Sequence, residues 1–519
     1  MKQIIAALLI GSLLCTAAFG QHDMQRNSAR LIAGGRIERA VRNLQKKPGR
    51  PESLFLLAVA ECRREPPDAG KALEYARRAV DAGLPFGRLL AGPREALAPL
   101  YALDEFQDWA KRAGPALLHG PQLGSVTDSS ARLWVRTAPE AKVRIAVRPK
   151  NAEGNQTVHS DVAQTSADHD YTGICRIGGL SPDTAYVYTV EVDGDTVTEP
   201  ATFRTYPREH APAEFTVGFG GGAGYIPRRE RMWTVIAEHR PLAFLMLGDN
   251  VYIDDPKHPF TQRYCYYRRQ SRPEWRHLAA RTALYAIYDD HDFGTNDCVP
   301  GPHLDRPAWK REVWRVFRQN WNNPTYAGGE DQPGCRHDFY IADVHFIMLD
   351  CRYYRDLKGG TMIGPAQKKW LFRTLKGSRG TFKVIASSVP FAPGVKPGSR
   401  DPWDGFPEER SQIFAFLAEN DIEGVVLISA DRHRSDIRRI EREGAYDLIE
   451  FESSKLTNRH THRVVKTPGL IFGYNKRPSF GLLHFDTSAD DPTVTYEIRN
   501  IEDQKIHSFD LPLSRLRKP

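Results

Sequence analysis

Three short stretches of the 519-residue chain carry side chains suited to metal-assisted chemistry. GDNVY supplies Asp249 and Tyr252, DDHD supplies Asp289, Asp290, His291 and Asp292, and SADRH supplies Asp431 and His433. The densest region, YAIYDDHDFGTND at 285–297, holds four carboxylates and one histidine, with Asn296 and Asp297 at its end. Like charges this close repel unless something positive lies among them. A solvated acidic loop is the plain alternative. Carboxylates, a phenol and imidazoles together suit hard and borderline cations, and one carboxylate can bridge two ions. A metal pair ~3.5–4 Å apart can generate hydroxide at neutral pH and clamp an in-line phosphoryl displacement. Two cations would also remove the repulsion.

The elements around these residues must bring them together. EFTVGFGGG, LAFLMLGDN, LYAIYDDHD, VHFIMLDCR, FKVIASSVP and GVVLISADRH are each apolar for about a strand's length. Each then breaks into Gly, Asp, Ser, Asn or His. Continuous apolar runs suit strands buried on both faces. Helical stretches such as RERMWTVIAEH and PAQKKWLFRTLKG lie between some of them. Open α/β sheets carry functional groups in loops past the strand ends. The pattern predicts an α/β domain over 213–512, with polar strand ends converging at one edge.

Taken jointly, the motifs resemble the metallophosphoesterase superfamily, and within it the PhoD-like alkaline phosphatase and phosphodiesterase branch. The purple acid phosphatases are more distant relatives that share GDxxY. DDHD followed by ND resembles the WDDHE…NN element of the PhoD-like proteins, with Tyr288 in place of tryptophan. LDCRYYRD (349–356), GPAQKKWL (364–371), KVIASSVPF (383–391) and WDGFPEER (403–410) follow in the family's order. The resemblance covers roughly 213–485. It implies an α/β metallophosphoesterase sandwich, central β-sheets flanked by helices, that hydrolyses phosphomonoesters or phosphodiesters at a two-metal centre. Iron with calcium, magnesium or manganese would be the ions.

Carried over by position, Asp249 would bridge both metals and Tyr252 would bind one as phenolate. Asp290 takes the place of a metal-binding asparagine, and Asp431 with His433 that of the closing GHxH pair. His291 would steady or protonate the leaving group, and Asp289, Asp292 and Asn296 would stand behind the ligands or toward substrate. Each has a plainer reading: Tyr252 as a core aromatic, Asp289 as an N-cap, Asp297 as a turn residue and His433 as a satisfied buried histidine. One departure stands out. The family commonly ends its first strand with GSC, whose cysteine ligates iron, whereas this chain has Gly220, Gly221 and Gly222. A catalytically inactive member that binds through its other modules is the competing hypothesis. Gly222 favours it, and the intact ligand set argues against it.

Two further segments precede the α/β domain. Residues 21–115 carry Leu and Ala at helical spacing, as in ESLFLLAVAECRR and KALEYARRAVDAG. They resemble a short tetratricopeptide-like repeat module, open to a protein partner, or else form a helical cap on the next domain. Residues 116–208 alternate apolar and polar, as in SARLWVRTA and AYVYTVEVDG. With Trp134 on an early strand, they resemble an all-β fibronectin type III-like sandwich. The start, MKQIIAALLIGSLLCTAAFG, reads as a signal peptide over 1–20 cut before Gln21. Export to the periplasm or the exterior follows, and no second apolar stretch long enough for a transmembrane segment appears. The net charge of +8 favours anionic ligands. Arg263, Arg268, Arg269, Arg272 and Arg276 could cup a phosphoester or line a solvated helix face. No nucleic-acid-binding fold accompanies them. The six cysteines beyond the signal peptide show no CxxC spacing; disulfides and buried free thiols both remain open.

Overall fold

The apolar runs form strands that are buried along their whole length: Ala243–Leu247, Ala283–Ile287, Val344–Met348 and Val425–Ser429. Side chains of this kind on both faces demand cover on both faces, which is the environment of parallel strands in a layered domain. The computed structural model describes residues 23–151 and 157–518, so the predicted signal peptide at 1–20 lies outside the described residues. No described helix is long and apolar enough to cross a membrane.

A six-stranded sheet runs in the order Ala283–Ile287, Ala243–Leu247, Glu214–Gly220, Ser479–Asp486, Thr493–Asn500 and Lys505–Pro512. Its first three strands are parallel, with Gly220 beside Met246 and Leu247 beside Ile287. A seven-stranded sheet holds Val344–Met348, Phe382–Ala386, Val425–Ser429 and Leu448–Ser453 as a parallel centre. The sheets pack through aromatic rings: Phe346 meets Phe485 at 5.9 Å and Phe451 meets Tyr496 at 4.6 Å. A single parallel bridge between Gly221 and Ser454 ties the two sheets together just past their strand ends. Parallel register and that bridge bring the chain after Leu247, Ile287 and Ser429 to one edge. The three chemical motifs begin there.

Helices occupy Met24–Ala33 through Asp104–Ala113. The helix Pro51–Cys62 is apolar on all sides, and every residue from Ser53 to Cys62 is buried, as an all-round apolar helix requires. Phe55 stacks on Tyr264 of the helix Pro259–Gln270 at 6.3 Å, and Arg268 of that helix donates to Asp23 at 3.1 Å. The helical segment is thus docked on the α/β domain.

Between them lie two antiparallel sheets. One has Leu117–Gly124, Ser130–Thr137 and Thr172–Gly178, and the other is built on Lys142–Pro149 and Ala185–Val192. Trp134 lies on the second of these strands and is buried. Its Nε1 donates to the carbonyl of Gln319 at 2.9 Å, on the far side of a domain contact. Arg136 is fully buried at the same contact, bonded to Gln270 at 2.7 Å and Asn320 at 3.0 Å.

The arginine run differs from both sequence readings. Arg268 and Arg269 are buried; Arg269 pairs with Glu230 at 2.9 Å and donates to the carbonyl of Ala223 at 2.6 Å. Arg272 pairs with Glu274 at 2.8 Å and Arg276 donates to the carbonyl of Gly120 at 3.1 Å. Arg268, Arg269 and Arg276 join elements, whereas Arg272 makes a local pair at the start of the next helix, and these four do not form a cup. Among the described residues the six cysteines are free thiols, five of them buried.

Candidate metal centre

The loop after Leu247 turns sharply because Gly248 has φ +95°, and a Cβ there would lie 2.5 Å from Cβ of Asp289. The GDNVY and DDHD loops therefore touch only with glycine at this point. Asp249, Tyr252, Asp254, Asp431 and His433 all adopt left-handed φ values, between 48° and 66°. Such conformations cost of order 1–3 kcal/mol for residues other than glycine and collect where function over-determines the backbone.

The acidic stretch resolves into separate tasks. Asp289 caps the short helix Asp290–Phe293, as its plainer reading held, and accepts from Arg352 Nε at 2.5 Å and Ser388 Oγ at 2.7 Å. Asp297 pairs with Lys396 at 2.8 Å. Asp292 accepts the backbone N–H groups of Asn250 at 3.0 Å, Val251 at 3.0 Å and Asp289 at 3.3 Å. It is the clasp between the two loops. Asn296 is exposed in the following turn. Asp290 takes the N–H of His291 at 2.9 Å and that of Asp297 at 2.6 Å, and its nearest cationic side chain, Arg352, is 4.0 Å away. Burial pushes its carboxyl up to about 7 and that of Asp292 up to about 8. The protein thus neutralises Asp289 and Asp297 itself and leaves Asp290 to other company.

That company is Asp249 and His291, whose ligand atoms lie with those of Asp290 within 4.8 Å of one another. Asp249 Oδ1 is buried with no hydrogen-bond partner among the described residues, and burial raises its carboxyl. His291 bonds through Nδ1 to Asp254, which also pairs with Arg26 of the first helix. Burial alone would lower the His291 imidazole, but Asp290, Asp249 and Asp254 outweigh it and raise it well above its ordinary value. An imidazole oriented by a carboxylate through one nitrogen is equipped either to ligate a metal or to transfer a proton through the other.

The Tyr252 ring lies against that of His291, tilted by 32° with centroids 4.6 Å apart, and its hydroxyl is 2.8 Å from His433 Nε2. His433 Nε2 is also 3.8 Å from Asp249 Oδ2. Asp431 lies beside this pair but is turned to Arg432 at 3.2 Å. Burial would raise the Asp431 carboxyl, yet Arg432 and Lys396 hold it down to about 2. The donor set fits a hard or borderline cation. Buried oxygens of Asp249, Asn250 and Asp289 lack partners among the described residues, and desolvated carboxylates without counter-charge are costly. Sequence reading missed Arg352, Asp254 and two histidines, His460 and His462, that stand against His433 with ring centroids at 5.3 and 5.5 Å. An acidic residue five positions after Asp249 and the HTH triplet were visible signals.

At the departure from the family, Gly222 has φ +70° and a Cβ there would meet Ser454 Oγ at 2.9 Å and His433 Cδ2 at 3.4 Å. A side chain at this position would point at His433, but the backbone does not accommodate one without strain.

Known proteins share parts of this sequence and fold. Residues 218–469 match the model of the PhoD-like phosphatase family, and residues 114–210 match a domain of unknown function, DUF7800. Alkaline phosphatase D of Bacillus subtilis (strain 168) is 22% identical, over 61% of this chain and 64% of its own length. The chain therefore spans somewhat under two thirds of that relative. The solved structure of PhoD superposes with a TM-score of 0.61 at 16% identity, covering 75% of this chain and 91% of that one. Purple acid phosphatase PPD1 from yellow lupin (Lupinus luteus) seeds gives 0.58 at 11% identity, with 76% and 75% covered. These structures share the α/β metallophosphoesterase fold with the two-sheet domain described above. By its motifs and the matched model, the segment 218–469 carries a PhoD-like phosphatase family-model domain.

Proposed function

We propose that the protein is an exported phosphoester hydrolase in which Asp249, Tyr252, Asp290, Asp431 and His433 hold two metal ions. The observation that carries this reading is the meeting of Asp249, Asp290 and His291 within 4.8 Å, at the ends of parallel strands, with an unpartnered buried carboxylate oxygen among them. The ions would supply a hydroxide nucleophile and offset charge on the phosphoryl oxygens. Asp249 has a free oxygen for bridging. Tyr252 presents its phenol beside His433. Asp292 holds the Asp249 loop by its backbone. His291, braced by Asp254, would give a proton to the departing alkoxide, and Asp289 with Arg352 would fix the wall behind Asp290.

Iron with calcium or another oxygen-loving divalent ion is the expected pair, and the helical segment and the fibronectin-like sandwich serve as docked supports. The test is hydrolysis of nitrophenyl phosphate and bis(nitrophenyl) phosphate by chelator-stripped protein reloaded with iron, calcium, magnesium or manganese. Turnover that returns with metal and is absent in Asp249→Asn, whose circular dichroism matches wild type, supports the reading. No turnover on either ester under any loading rejects it.

A further inference from the structure

His460 and His462 belong to none of the elements discussed so far. They lie two residues apart in a segment without regular structure between the strands Leu448–Ser453 and Leu470–Tyr474. Both rings lie against His433, with centroids 5.3 and 5.5 Å from it, and 4.4 Å from each other. One ring nitrogen from each of His433, His460 and His462 falls within 4.8 Å of the others.

The segment is held in place at several points. Thr461, between the two histidines, donates through Oγ1 to the carbonyl of His433 at 3.2 Å. Asn475 Nδ2 donates to the carbonyl of His462 at 2.8 Å, and the N–H of His460 donates to Asn458 Oδ1 at 3.2 Å. Upstream, the N–H groups of Leu456 and Asn458 bond the carbonyls of Gly221 at 2.9 Å and Gly222 at 3.1 Å. The glycine strand end that lacks the family's cysteine is thus stitched directly to the segment that brings two imidazoles.

His433 has two faces. Its Nε2 is taken by Tyr252, while Nδ1 is buried without a hydrogen-bond partner among the described residues. A buried ring nitrogen left bare is costly unless something fills its place. We propose that His433, through Nδ1, together with His460 and His462 forms a three-imidazole site for a borderline transition-metal ion such as Zn²⁺ or Co²⁺, adjoining the carboxylate–phenol centre.

Three imidazoles and an open fourth position are a well-used set for such ions, and nitrogen donors favour them over calcium or magnesium. Zn–N bonds of ~2.0–2.1 Å place tetrahedral ligand atoms ~3.3 Å apart. Closing from at most 4.8 Å needs only side-chain rotation, and His460 and His462 are half-exposed and able to turn. Arg432 stands close by, with its charge met by Asp431 at 3.2 Å. Ligation through Nδ1 puts the His433 proton on Nε2, where it donates to Tyr252. An ion on each nitrogen would make the ring a bridging imidazolate and release one further proton.

The inference does not rest on hydrolytic activity, so its test is metal binding. Chelator-stripped full-length protein is titrated with Co²⁺, following its visible absorption and the bound equivalents after dialysis. Wild type should show a four-coordinate, nitrogen-rich spectrum that the His460→Ala/His462→Ala double variant lacks, together with one bound equivalent fewer in that variant. Asp290→Asn should keep that spectrum, because the imidazole set does not include Asp290. His462→Gln alone serves if the double variant fails to fold, and should weaken the same signal. Equal stoichiometry and spectra in wild type and the histidine variants would overturn the site, even with the carboxylate centre intact. Loss of all binding at the carboxylates with the Co²⁺ spectrum retained would instead reject the two-metal reading and leave the imidazole site standing.

Discussion

Asp292 offers the sharpest test of how the centre is held. Its carboxylate receives three buried backbone N–H groups and the side-chain amide of Asn250 at 3.1 Å. Asp292→Ala removes every acceptor at once. Asn250 Nδ2 keeps its bond to the carbonyl of Ile287 at 2.9 Å, so three main-chain donors are left bare. Each unsatisfied buried donor costs ~1–3 kcal/mol, and a water entering the vacated space would recover part of that, so ~3–5 kcal/mol is expected. Asp292→Asn keeps one carbonyl oxygen and turns an amide N–H₂ toward a donor, so ~1–3 kcal/mol is expected. A chain of several domains has no single unfolding free energy, so the measurement should be local. Amide hydrogen exchange of the peptide covering 247–254 reads the opening of this loop. Since ~1.36 kcal/mol is a decade, Asp292→Ala should speed exchange at Asn250 and Val251 by about two to four decades and Asp292→Asn by about one to two. Exchange within threefold of wild type in the alanine variant would refute the clasp.

His291→Ala should slow turnover by roughly 10²–10⁴ while most bound metal remains, with the loss shrinking for esters of very acidic alcohols. Equal losses across leaving groups would mark His291 as a ligand. Asp254→Asn should act in the same direction with a smaller loss, because it removes the brace and not the proton carrier. In metal-free protein Asp290 and Asp292 titrate at about 7 and about 8, above the unfolded carboxylate value. Their contribution to stability is therefore complete below pH ~4 and lost as pH rises through 7–8. The rise in Tm on adding metal should grow over that window, because cations need these carboxylates or their neighbours ionised; a pH-independent rise would contradict it. Gly222→Cys should lower Tm and leave iron retention unchanged, given φ +70° and the 2.9 Å approach to Ser454. Increased iron retention would show that the turn relaxes to accept the thiol.

The convergence of the three motifs was legible because each apolar run ends abruptly in polar residues, and parallel pairing leaves such ends no other place to go. The acidic stretch was legible as a cluster but not in its division of labour. Arg352, which neutralises Asp289, is 63 positions away in sequence, and nothing local marks it as the partner. The arginine run was misread because burial of a guanidinium depends on distant acids, here Asp23 and Glu230. Alternation along a strand likewise tells which residues share a face, not which neighbour covers it, so the contact of Trp134 with Gln319 could not be read from sequence. His460 and His462 sit in a segment without regular structure, where periodicity has nothing to say, and only their two-residue spacing hinted that they act together.

The contact of Arg26 with Asp254 has a consequence in time. The two residues are 228 positions apart, and chains are made from the N-terminus. The first helix is complete long before the loop that receives its guanidinium exists, and it must wait for the helix Pro259–Gln270 before it can dock. His291 gains its fully paired brace only when that early helix closes onto late-made chain. Completion of the centre therefore doubles as a checkpoint on assembly, and a molecule whose first helix has not come home holds its histidine on a carboxylate lacking its second cation.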